Sequence, residues 1–124
     1  MKYVELQNKL IIEYRIVHKP DSKCWNRTHC HPKERQVCKH HIKESYKSLF
    51  TLLHEIGHIE TDRPSMRRCE QESEATLWAV DKLKQLGIPV KRKVIKEYKG
   101  YIKMTYDRGV RRGLTGCNKK DLFM

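Results

Sequence analysis

The sequence predicts a small α+β domain in which a short antiparallel sheet packs on one helix bearing His54-Glu55-Ile56-Gly57-His58 and on a second helix bearing a group of glutamates. Three observations predict it. Apolar residues alternate early in the chain, a broad apolar stripe at helical spacing follows in the middle, and a second helical pattern closes on Gly87 and Pro89. At 124 residues the chain can build one modest core.

From Leu10 to Val17, the residues Leu10, Ile12, Tyr14 and Ile16 recur at period two, the pattern of a half-buried strand. Tyr3 to Leu6 either pairs with that strand through a turn near Asn8 or forms a short helix. Residues Lys19 to Glu34 hold two prolines among polar residues and read as an extended loop, and Val37 to Ile42 reads as a short strand. The sheet therefore precedes the main helix. Ser45 is placed to cap a helix running through Glu60, with Leu49, Phe50, Leu52, Leu53 and Ile56 as its apolar face and Pro64 as a stop. A second helix is expected from Met66 to Leu86, ended by Gly87. Beyond Val90, Val94, Tyr98, Tyr101 and Ile102 fit a helical stripe, while Ile102, Met104 and Tyr106 fit a strand after Gly100; both remain open. The expected domain covers 1–106, and 107–124 reads as a basic tail.

Lys and Arg number 27 against 15 Asp and Glu, a formal charge of +12 that favours acidic partners, whether protein, nucleic acid or anionic membrane. No segment near Met1 resembles a signal peptide and no apolar run is long enough for a membrane span, so the expected location is the cytoplasm. Five cysteines in such a chain point to reduced thiols or metal ligands rather than disulfides.

The chemistry is carried by the HExxH sequence. Histidines four residues apart share one helix face and can hold one metal ion, while Glu55, one position round, is set to act as general base. A catalytic zinc site takes three protein ligands and leaves a place open, so a later residue must complete the set. Glu70, Glu72 and Glu74 are the candidates. On a helix, Glu74 shares a stripe with Leu77, Trp78 and Asp81, whereas Glu72 lies roughly 200° away, so Glu74 is expected to point inward and Glu72 outward. Glu70, one turn before Glu74, is the reserve.

The run His54 to His58, followed by Glu74-Ala75-Thr76-Leu77-Trp78-Ala79, resembles the ImmA/IrrE-type metallopeptidases, gluzincins with a helical HExxH and a later Glu-Ala-Asn-x-Phe-Ala helix. The resemblance covers roughly Val37 to Leu86 and departs from the family at Thr76 and at Lys82-Leu83-Lys84-Gln85. It implies a zincin-like fold, a Zn2+ ion on His54, His58 and Glu74, and Ala79 as the small residue that lets two helices approach. It further implies a selective protein substrate, often a transcriptional repressor.

The leading expectation is thus a zinc-dependent endopeptidase in which Glu55 activates water, with Tyr98, Tyr101, Tyr106, His40 or His41 as oxyanion donor. Two other classes compete with it. One is a non-enzymatic, zinc-stabilised module binding nucleic acid or protein, in which Cys24, Cys30 and Cys38 with His29, His31, His40 and His41 hold a structural zinc and the basic tail, aided by Trp25, contacts phosphates and bases. The other is a small protein that blocks a host enzyme by binding.

Overall fold

The computed structural model describes residues 2–23 and 27–124, so Met1, Cys24 and Trp25 lie outside the described residues, as do the readings placed on them. The chain opens with a helix, α1 (Tyr3–Glu13), which takes the helical reading of Tyr3 to Leu6 and runs into the stretch from Leu10 where a strand is expected. Tyr3, Leu6, Leu10 and Ile11 form its core-facing stripe with Tyr14 just beyond, while Ile12 is 78% exposed. The period-two pattern arose because the window straddled the helix end: Leu10 and Tyr14 are one turn apart, and Ile16 is the first buried residue after the chain reverses at Arg15, whose φ is 53°. Glu44 accepts from the backbone N–H groups of Tyr3 and Val4 at 2.6 and 3.0 Å, caring for helix donors that Lys2 does not cap.

Three short strands follow: β1 (Val17–Lys19), β2 (His29–His31) and β3 (Gln36–Cys38), in the order β1-β3-β2. β2, within the stretch read as loop, pairs antiparallel with β3, but β1 pairs parallel, so the sheet is mixed where an antiparallel one is expected. β1 and β2 lie at the edges of the stretch read as loop, and a 3-10 turn at Pro32–Glu34 joins β2 to β3. Arg35, in the left-handed region at φ 52°, closes that turn and donates to the Tyr14 carbonyl and to Glu60.

The central helix α2 (Tyr46–Thr61) starts as expected, with the Ser45 hydroxyl accepting from Ser48 N–H at 3.1 Å. Leu49, Phe50, Leu52, Leu53 and Ile56 are fully buried and form the middle of the core. Helix α3 (Arg68–Gln85) packs along α2 and ends where Gly87 turns at φ +72°, returning its N–H to Lys84 and that of Ile88 to Leu83. The segment with two readings is helical: α4 (Arg92–Arg111) packs on α3 with Ile102 and Thr105 buried, and sets Tyr98 against Phe50 and His54 of α2. α4 runs across the expected boundary at 106/107, and the chain then returns to α3, where Phe123 N–H donates to the Ser73 hydroxyl at 2.8 Å. Among the described residues, no helix is long and apolar enough to cross a membrane.

Candidate metal centre

α2 carries His54, Glu55 and His58 on the face turned toward α3 and the sheet, and all three are buried. The approach of α3 is set by small residues. Gly57 lies against the Ala75 backbone so tightly that a Cβ on residue 57 would stand 2.5 Å from the Ala75 carbonyl oxygen. Ala79, expected at the approach, is fully buried one turn further on.

This packing fixes which glutamate reaches the histidines. The inward face of α3 is Cys69, Glu72, Ser73, Ala75, Thr76, Ala79, Val80 and Leu83, whereas Glu74 is exposed and Leu77 and Trp78 are only half-buried. Glu72, not Glu74, therefore faces His54 and His58, and the expected placement of these two residues is reversed. Taking Leu77 and Trp78 as the core-facing pair caused the error; Trp78 instead meets Tyr14 edge-on at the rim, with ring centroids 5.3 Å apart. Glu70, the reserve, accepts from Arg67 N–H at 2.9 Å and caps α3.

The Glu72 carboxylate spans the two imidazoles, with Oε2 3.1 Å from His54 Nε2 and Oε1 3.2 Å from His58 Nε2. On its other side, His58 Nδ1 lies 2.9 and 3.0 Å from the two Asp62 oxygens, a carboxylate partner that orients the ring and points Nε2 inward. Asp62 was readable as a carboxylate one turn beyond His58. Arg68 Nη2 also reaches Glu72 Oε1, at 3.1 Å.

These groups shift one another strongly. Burial works to lower the His58 pKa, but Asp62 and Glu72 override it and carry it up to about 10. Burial likewise opposes a charged His54, yet the facing Glu55 and Glu72 carboxylates raise its pKa. Burial works against an ionised Glu72, and the two histidines nonetheless hold it well below the usual carboxylate range. A cation entering here would displace protons from the imidazoles and take over their role of balancing Glu72.

His54, His58 and Glu72 form a group whose ligand atoms all lie within 4.8 Å of one another. The decisive detail is that His54 Nε2 and Glu72 Oε2, though 3.1 Å apart and buried, have no hydrogen-bond partner: their approach is not aligned as a hydrogen bond. Two such orphaned polar atoms are costly in a core and fit a cation placed between them. Ligands bound at about 2.0–2.2 Å in a tetrahedral set stand roughly 3.4 Å apart, close to the two distances seen.

The group opens into a cleft of about 740 Å³. Glu55 lies beside it with Oε1 3.9 Å from His54 Nδ1 and the Cys30 thiol of β2 as a further neighbour. Burial, with the Glu55 carboxylate beside it, pushes the Cys30 thiol up, so it stays a neutral donor. α4 forms the opposite wall. The Tyr98 ring lies tilted against that of His54, 4.7 Å between centroids, and burial pushes its phenol up to about 12. Tyr101, also in the cleft, takes a 3.4 Å contact from Arg68. Of the other expected oxyanion donors, His40 is engaged with Gln7, and neither His41 nor Tyr106 lines the cleft.

No family model, curated protein or solved structure matches this chain.

Proposed function

We propose that the protein is a zinc-dependent peptidase, with zinc held by His54, His58 and Glu72. The observation that carries this reading is the orphaned pair His54 Nε2 and Glu72 Oε2 inside a cleft that also holds the Glu55 carboxylate. Two imidazoles and one carboxylate are a donor set of catalytic zinc, and His54, His58 and Glu72, which line the cleft, would hold it there. When bound there, the ion supplies Lewis acidity, polarising a carbonyl and bringing the pKa of a water to about 7.

The chain's own groups supply the rest. Glu55 takes a proton from the attacking water as its oxygen bonds to the peptide carbon, then delivers that proton to the amine nitrogen as the C–N bond breaks. A purely structural metal would have no use for this base. Tyr98, kept protonated, donates to the oxygen that gains charge in the tetrahedral state. β2 is an edge strand beside the cleft, so an extended substrate segment can add to its free side and bring one carbonyl toward the site. The basic surface favours an acidic protein substrate, a nucleic-acid-bound regulator among them. This reading keeps the ImmA/IrrE likeness at the HExxH helix and moves the third ligand two residues earlier.

The test is hydrolysis of a mixed peptide library by the zinc-loaded protein, read by mass spectrometry. Glu55→Gln should retain zinc and lose turnover by about 10²–10⁴-fold, and Tyr98→Phe should lose about 10²–10³-fold. Turnover unchanged in Glu55→Gln would overturn the reading.

A further inference from the structure

β2 has two chemically different faces. Its register pairs Cys30 with Val37 and His29 with Cys38. Directly opposed residues share a face, so Cys30 and Val37 look toward α2, while His29, His31 and Cys38 gather on the face turned away. Val37 belongs to the apolar core; Cys38 is equally buried yet lies outside that cluster. The ligand atoms of His29, His31 and Cys38 all lie within 4.8 Å of one another.

Two of the three donors are oriented by a hydrogen-bonding neighbour. His29 Nδ1 faces the Arg27 carbonyl oxygen at 2.7 Å, and with that N–H donating, Nε2 carries the lone pair. Gln36 Nε2 donates to Cys38 Sγ at 3.0 Å, which suits a sulfur acting as acceptor. The His29 and His31 rings meet edge to face, 5.1 Å between centroids. Donors of a tetrahedral zinc site stand roughly 3.3–3.6 Å apart, so small side-chain rotations close this set on an ion.

The local fold has need of such a clasp. All three strands are three residues long, well short of the usual five or six, and β2, which lines the cleft, has little ladder to hold it. We propose that His29, His31 and Cys38 bind a second divalent ion of the zinc class, which staples β2 to β3. On binding, Cys38 releases its thiol proton to solvent and ligates as thiolate. The ion leaves Cys30 free on the opposite face, beside Glu55. Of the wider set weighed from sequence, Cys30 thus faces the other way and His40 is held by Gln7. The proposal stands independently of peptidase activity.

The test is titration of the full chain with Co2+, following the near-ultraviolet band that only a thiolate ligand produces. Wild type should take up two equivalents, one of them with the band, and His54→Ala/His58→Ala should retain the banded equivalent alone. Cys30→Ser should keep the band, whereas Cys38→Ser should lose it. Because Cys38 is fully buried, His31→Gln on the half-buried strand end serves as second variant, and it should weaken the banded equivalent at least 10-fold. A wild type without the band, a band that survives Cys38→Ser, or one lost in Cys30→Ser would overturn the assignment.

Discussion

Gly57 of α2 and Ala75 of α3 meet backbone to backbone, with room for no side-chain carbon at residue 57. The contact lies between His54 and His58 on one helix and one turn beyond Glu72 on the other, so it sets the spacing of the candidate metal group. Gly57→Ala gains about 1 kcal/mol of helix propensity, but it forces overlap with a carbonyl that cannot rotate away, a cost of about 1–3 kcal/mol or more. The expected result is a lower Tm together with weaker zinc binding. Unchanged zinc affinity would show that the helix spacing is not what holds Glu72 in place.

Asp62 orients His58 from outside the ligand set. Asp62→Asn should leave the fold intact and weaken zinc about 10–100-fold, measured by competition with a chromophoric chelator. Asp62→Glu, with a longer arm, should recover part of the loss.

The start of α2 is tied to α1 by a buried polar network: His40 Nε2 to Gln7 Oε1 at 2.8 Å, Ser48 Oγ to the same oxygen at 3.1 Å, and Gln7 Nε2 to the Lys43 carbonyl at 3.0 Å. Burial, helped by the nearby His18 and His41 and opposed by Glu55, lowers the His40 pKa from 6.5 to about 4. The folded state therefore resists protonation that the unfolded chain accepts. Stability is full above pH 6.5 and falls as the pH drops toward about 4, by at most about 3 kcal/mol. His40→Gln should flatten that decline in urea denaturation curves taken across the window.

The α-helical core was legible because its signals are local. Ser45, Gly87 and Pro64 mark the ends of α2 and α3, and Leu49 to Ile56 define a face wide enough to survive an error in phase. α1 was misread because its break at Arg15 depends on a left-handed backbone that no residue type announces there. The facing of Glu72 and Glu74 was misread for a tertiary reason. The contact face of α3 is chosen by how closely small residues let it approach Gly57, and Ala75, Thr76 and Ala79 win over the bulkier Leu77 and Trp78. HExxH located the site to one helix; the packing of two helices decided its third member. The second group was divided among too many sequence candidates until the β2–β3 register separated Cys30 from Cys38.

The most direct measurement is zinc content and affinity of Glu72→Ala beside Glu74→Ala, by elemental analysis and chelator competition at equal helicity. Glu74 is exposed and away from the histidines, so its variant should bind as wild type does; Glu72→Ala should lose the ion at the HExxH helix. Loss of that ion in Glu74→Ala with retention in Glu72→Ala would contradict the account at its centre.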